Sequence, residues 1–393
     1  MILSCTTQFS VKKSKMELVA KTLFGLENVL AGELTDLGAQ NVRVLNRAVS
    51  FEGDNEMMYR VNYCCRTALS VLKPVGRFRI GTAKDIYYRA LKIKWDEIFD
   101  LEQTFAIVPV VHSNLFNHTG YAGLVLKDAI ADFFTRKYNL RPSVDTARPD
   151  ILFNLHISEN DVTISLDSSG IPLYKRGYRI SQTIAPLNEV LAAGIVMISG
   201  WNGTIPLFDP MCGSGTIPIE AVMIANRIPP GKFRKSYGFM KWKDFDNNLF
   251  KKVTSEADSK VEDNDIEVLC ADILPEAVSC STLNISSAGL SSRIKLLTRD
   301  FFSSGSGGKN YVIITNPPYG ERLKEDDIND FYSRIGERLK HGYEGSSAWI
   351  ITGNTGALKF VGLKPSVKYT LFNGPIETRL VRYDLYSGSL KRK

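Results

Sequence analysis

Apolar and polar positions follow two rhythms along the chain, and the change from one to the other falls near residue 180. Before it, short alternating stretches with the period of a half-buried strand are interleaved with stretches spaced like one face of a helix. Residues 18–22 read as a strand, 26–37 as a helix closed by Gly38, and 42–51 as a strand. A helix is expected over 56–70, a strand over 104–111, a helix over 120–138, and two strands, 151–157 and 162–166, joined by a polar turn. Helices alternating with antiparallel strands in this way predict small α+β units.

After residue 180, short β-rich runs recur at 205–208, 266–270, 294–297, 311–315 and 348–352, with helical segments between most of them. This predicts an α/β fold with a doubly wound, mostly parallel sheet. Two further runs, 367–372 and 378–386, flank Asn373-Gly374, a hairpin signal that makes the last strand antiparallel. In such sheets ligands bind at the carboxyl ends of the strands, so those ends are where chemistry is sought.

Length and composition narrow the field. A chain of 393 residues suggests two or three compact units. Its 44% hydrophobic and 23% charged content is that of an ordinary globular protein. No apolar run approaches the roughly 18 residues of a spanning helix, so no membrane attachment is expected. Residues 1–15 carry three lysines and no apolar stretch with a cleavage site, which predicts a cytoplasmic protein without a secretory signal. The six cysteines form no C-x-x-C pair, and no histidine stands at metal spacing, so they are expected to be reduced thiols with no metal among them.

A net charge of +7 permits a polyanion partner, and its distribution is more telling. Between Lys73 and Lys94 there are seven basic residues, among them Arg77, Arg79 and Lys84, against the single acid Asp85. Phe78, Tyr87, Tyr88 and Trp95 lie among or beside them, a mixture suited to phosphate contact and base stacking.

The sharpest local signal is Asp209-Pro210-Met211-Cys212-Gly213-Ser214-Gly215-Thr216, between the first strand of the regular half and an apolar helix. Glycines let a backbone turn tightly against a ligand, and the free N–H groups of a helix start face it. A phosphate-binding P-loop would need Gly-Lys-Ser/Thr, and the lysine is absent. A dinucleotide fingerprint wants a third glycine where Pro218 stands. S-adenosylmethionine suits the pattern better. Asp209 can hold its cationic amine, and Asp272, followed by Ile273 at the next strand end, can accept from its ribose diol. Asp300 and Phe301, after the third strand, offer an acceptor for the adenine amine and an apolar face for its ring.

The fourth strand ends in Asn316-Pro317-Pro318-Tyr319, followed by Gly320-Glu321-Arg322. Prolines fix the backbone and leave carbonyls free to accept. An exocyclic base amine is a weak nucleophile because its lone pair is delocalised into the ring. Acceptance of both amine hydrogens by the Asn316 side chain and the Pro317 carbonyl would steer that lone pair toward a methyl group, with Tyr319 stacked on the base. Catalysis then rests on orientation and electrostatics.

On these motifs the sequence resembles the RlmL-type 23S ribosomal RNA guanine 2-amino methyltransferases, from about Met16 to near the C-terminus. Lys127-Asp128-Ala129-Ile130 and Lys175-Arg176-Gly177-Tyr178-Arg179 are similar to that family's THUMP RNA-binding region and the junction after it. Ala185-Pro186-Leu187 looks like its motif lining the cofactor site. The resemblance implies an N-terminal extension over 1–15, a ferredoxin-like part over 16–70, a THUMP domain over 71–170 and a class I, Rossmann-like methyltransferase domain over 171–393. It also implies that Arg77, Arg79, Lys84, Lys127, Lys175, Arg176, Arg179 and Arg322 meet large-subunit ribosomal RNA. Leu274 stands where relatives often carry a second acid, which leaves Asp272 as the ribose candidate. The implied reaction is methylation of the 2-amino group of a guanine. Rival readings are a tRNA guanine methyltransferase, an adenine-N6 DNA methyltransferase, or an RNA-binding protein with relic motifs. The catalytic half, 181–393, is expected to bind cofactor by itself. Monomer and weak dimer both remain open.

Overall fold

The computed structural model describes residues 15–183, 186–318 and 325–386. Two seven-stranded sheets divide the chain where the rhythm changes. The first holds β1 (Met16–Lys21), β2 (Gln40–Leu45), β3 (Ala48–Gly53), β4 (Ser70–Arg79), β5 (Phe105–His112), β6 (Ile151–Ser158) and β7 (Asp161–Asp167), with helices α1 (Glu27–Asp36), α2 (Asn55–Cys64), α3 (Asp85–Ala90) and α4 (Thr119–Tyr138). Its strand order is β2-β3-β1-β4-β7-β6-β5.

Three expectations are corrected here. The stretch 42–51 is a hairpin, β2 and β3, because Arg47 takes a left-handed φ of 54° and turns the chain between Leu45 and Ala48. The helix expected over 56–70 stops at Cys64. Cys65 N–H still donates to the Val61 carbonyl, but the N–H groups of Arg66 and Thr67 donate to the Glu33 carboxylate at 2.7 and 2.9 Å instead of to carbonyls one turn back. The strands are also not all antiparallel, since the long helix α4 crosses over to make β5 and β6 parallel. β4 pairs with β1 on one side and β7 on the other, so the ferredoxin-like and following strands form one continuous sheet.

The second sheet contains β8 (Leu207–Asp209), β9 (Val268–Asp272), β10 (Ile294–Thr298), β11 (Val312–Thr315), β12 (Ser347–Thr352), β13 (Val367–Asn373) and β14 (Ile376–Asp384), in the order β10-β9-β8-β11-β12-β14-β13. Strands β8 to β12 are parallel, and β14 lies antiparallel between β12 and β13, as the hairpin signal predicted. The helices are α5 (Glu189–Ser199), α6 (Thr216–Ala225), α7 (Asn247–Asp258), α8 (Pro275–Ser287) and α9 (Glu325–Gly342). Strand order reverses between β8 and β11, which opens a crevice at their carboxyl ends.

One segment of the second half returns to the first. Tyr237, Phe239, Trp242, Phe250 and Val253 are buried in the core of the first sheet, with Tyr59 of α2 and Phe239 ring to ring at 4.5 Å. Ion pairs of Lys73 with Asp244, Lys243 with Asp100 and Arg60 with Glu256 flank this seam. In the opposite sense, Leu26 is buried in the core of the second sheet, so close to Gly194 that a Cβ there would lie 2.7 Å from it.

Candidate active site

The residues singled out at four strand ends converge on one cavity of about 360 Å³, within the usual range for small-molecule and cofactor sites. Pro186, Leu187, Asp209, Pro210, Met211, Cys212, Gly213, Ser214 and Thr216 line it, as do Asp272, Ile273, Asp300 and Phe301. Asn316, Pro317 and Pro318 face the same space. Gly215 does not line it. Its φ of 77° sets the turn into α6, where a Cβ would press to 3.2 Å from the Ser281 hydroxyl. Ala185, Tyr319 and Arg322 lie outside the described residues.

Asp272 closes the glycine turn from the neighbouring strand. Its carboxylate accepts from Gly213 N–H at 2.9 Å and from Leu274 N–H at 3.0 Å. Asp209 ends β8, is 1% exposed and accepts from Met211 N–H at 3.2 Å, with the Thr315 hydroxyl also beside it. Burial pushes its carboxyl up to about 7, with a smaller contribution in the same direction from Asp272. No cationic side chain among the described residues offsets that burial. A buried carboxyl in this state is suited to receive a cation. Asp300 accepts from Phe302 N–H at 3.0 Å, which starts the short turn carrying Phe301.

At the end of β11, the Asn316 side-chain oxygen is buried and meets no hydrogen-bond donor among the described residues. An acceptor left unmatched in a buried position costs about 1–3 kcal/mol, and since Asn316 lines the cavity this oxygen is marked for a donor from outside the chain. Pro317, beside it, is buried as well.

Comparison with known proteins agrees with this geometry. Residues 176–382 match the RMKL-like methyltransferase domain, 17–72 the RlmL ferredoxin-like domain and 81–167 the THUMP domain. A Synechocystis sp. protein named provisionally as an RNA methyltransferase is 36% identical over 364 residues, 92% of this chain and 95% of its own length. The chain belongs to the RMKL-like methyltransferase family. The ribosomal RNA large subunit methyltransferase K/L of Syntrophotalea carbinolica is 35% identical over 373 residues; the match covers 92% of this chain but 52% of that protein. The chain thus spans about half the length of the K/L relatives it matches. Among solved structures, SMU.472, provisionally a methyltransferase and crystallised with S-adenosylhomocysteine (SAH), superposes with a TM-score of 0.85 at 28% identity, over 96% of this chain and 100% of that one. A Listeria monocytogenes protein assigned by prediction as an N6-adenine-specific DNA methylase gives 0.84 at 28% identity, over 95% and 97%.

The fold is therefore that of a class I methyltransferase preceded by ferredoxin-like and THUMP domains, and the methyl donor of this methyltransferase is S-adenosylmethionine. The cavity fits that donor, because the buried, cation-seeking carboxyl of Asp209 and the exposed apolar rim at Ile273 suit its charged and its ring ends.

Several side chains expected to meet RNA are instead internal to this methyltransferase. Arg176 is 1% exposed and ion-paired with Glu220 of α6, which also accepts from Tyr178. Arg179 braces the glycine turn, donating to Ser214 and Thr216 hydroxyls at 2.9 and 2.8 Å and to the Leu187 carbonyl, while pairing with Glu189 at 2.7 Å. Neither can reach a nucleic acid. Of the aromatics beside the basic segment, Trp95 is fully buried and donates to the Ala90 carbonyl, and Tyr87 is bonded to Asp132. Arg77 pairs with Glu17, Arg79 with Asp161 and Lys127 with Asp128, all on the surface. Lys84 and Lys175 are exposed.

Two residues of α8 were missed. Asn284 donates to the carbonyls of Ser181 and Ser214 and accepts from Ile180 and Ser181 N–H, so it fastens the approach segment to the glycine turn. Ser281 donates to the Gly213 carbonyl at 2.7 Å. Their spacing of three on a helix places both on one face, and two polar residues amid the buried side of α8 were the available signal.

Proposed function

We propose that the chain methylates the exocyclic 2-amino group of a guanine in 23S ribosomal RNA. The observation that carries this reading is the unmatched side-chain oxygen of Asn316, a residue lining the cavity. Asp209 would hold the cofactor's amine, Asp272 its ribose diol, and Asp300 with Phe301 its adenine. Bound S-adenosylmethionine supplies a methyl group on a cationic sulfur, open to in-line displacement. Asn316 and the Pro317 carbonyl accept the two amine hydrogens of the base and turn its lone pair outward from the ring. Tyr319 is assigned by its motif to stacking on that base. Neither acceptor is a strong base, so the proton released after transfer leaves to water. A paired base must first be turned out of its stack.

The names of the K/L relatives and the THUMP match support ribosomal RNA as the substrate class. A second reading, transfer to the 6-amino group of adenine in DNA, is favoured by the name of the Listeria neighbour, because Asn316 suits either amine. Nucleoside mass spectrometry of rRNA, tRNA and DNA from cells with and without the gene tests both. Loss of 2-methylguanosine from large-subunit rRNA is the expected result. Loss from tRNA, or disappearance of 6-methyladenine from DNA, would overturn it.

A further inference from the structure

The cavity that holds Asn316 is also lined by two arginines, Arg299 just after β10 and Arg334 on α9, both exposed. Neither has an ion-pair partner among the described residues. Arg334 has Asp330 one turn before it and Glu337 after it on the same helix, but Glu337 pairs with His341, and the Arg334 guanidinium lies over the Phe302 ring, 4.0 Å from its centre. Phe302 in turn meets Phe331 edge-on at 5.4 Å. Stacking of this kind holds a guanidinium in place while leaving its edge free for an anion.

The remaining charge in the cavity is spoken for. Asp272 and Asp300 accept backbone N–H groups, and Asp209 is buried at the end of β8. S-adenosylmethionine is cationic overall, and its one carboxylate sits beside the ammonium assigned to Asp209 at the end of β8, whereas Arg299 follows β10 and Arg334 lies over Phe302, next to the Phe301 assigned to the adenine ring. The target base is neutral. Apart from that carboxylate, the anion that the reaction brings to this mouth is the sugar–phosphate backbone. We propose that Arg334, with Arg299 on the same cavity, receives the phosphate next to the target nucleotide and so seats the extruded base against Asn316. This inference rests on the reading that the substrate is a nucleic acid.

The test uses full-length protein, an RNA that the wild type methylates, and the variants Arg334→Ala, Arg299→Ala and Arg334→Lys. For each alanine variant KM for RNA should rise about tenfold and the log–log salt dependence of RNA binding should become shallower by about 0.7. S-adenosylmethionine affinity by calorimetry should stay within about twofold. Arg334→Lys keeps the charge and loses the planar stack, so it should recover part of the KM but not all of it. Unchanged KM and salt slope would overturn the inference. So would a loss of cofactor affinity as large as the rise in KM, which would assign the arginines to the cofactor. Failure of the wild type to methylate any RNA is a different result: it removes the functional reading and the inference with it.

Discussion

Asn316 and Asp209 present opposite unmet needs at one cavity, an acceptor without a donor and a buried carboxyl without a cation. Each yields a prediction. Asn316→Ala removes the acceptor but no proposed cofactor contact, so calorimetry should find S-adenosylmethionine affinity nearly unchanged while single-turnover methyl transfer falls by about 10²–10³. For Asp209 the sign follows from its carboxyl lying near 7 in the free protein. Below that pH it is protonated and must release its proton before it can pair with an ammonium group. Affinity should therefore weaken about tenfold for each pH unit below 7 and level off above it. Asp209→Asn should bind weakly and with a flat profile between pH 6 and 8; a flat profile in the wild type would refute the pairing. The acids and Asn316 could be read from sequence because their places at successive strand ends carry the information. Arg176 and Arg179 could not be read from their charge, which does not reveal burial. The clue lay across the fold, where Glu220 is the lone acid in the apolar helix α6, since an acid so placed requires a partner.

At the scale of elements, the approach segment before α5 is held to the glycine turn by side chains rather than by a sheet. Arg179 and Glu189 form its buried ion pair, 14% and 6% exposed at their side chains. Arg179→Met strands the Glu189 carboxylate and should destabilise the protein by about 3 kcal/mol. The double variant Arg179→Met, Glu189→Leu removes both charges and should recover most of that loss in urea unfolding, while cofactor affinity stays impaired because Ser214 and Thr216 lose their brace. Recovery of stability without this lasting binding defect would mean that the brace has no bearing on the cofactor. The periodic pattern found the second sheet with its antiparallel final hairpin and most of the first, because alternation and helical spacing are local properties, but it missed β4, the strand that joins β1 to β7. It missed the early end of α2, where the competing acceptor, Glu33, lies on another helix. It also read β2 and β3 as one strand, since a two-residue turn barely interrupts the alternation.

Over the whole molecule, the chain passes from the first core to the second, returns through 237–257, and leaves again. The expectation that residues 181–393 would bind cofactor alone therefore needs correction. Cutting there uncovers Tyr237, Phe239, Trp242 and Phe250, and burial of each such side chain contributes about 1.5–3 kcal/mol. The fragment should aggregate or bind a hydrophobic dye and show no sharp melting transition, whereas full-length protein melts cooperatively; a soluble, cooperative fragment that binds cofactor would contradict this. RNA gripping by the front half and the junction after it is better tested with exposed residues: Lys84→Glu and Lys175→Glu should each flatten the salt dependence of RNA binding by about 0.7–0.9. The returning segment has one more consequence. Two bodies sewn together by three passes of a single thread cannot swing like jaws, so the span from the front surface to Asn316 is a fixed gauge. A substrate stem longer or shorter by one base pair between those points would present its target out of register. For the proposed RNA substrate, such a change of length should depress single-turnover methylation more than any exchange of base pairs that preserves it.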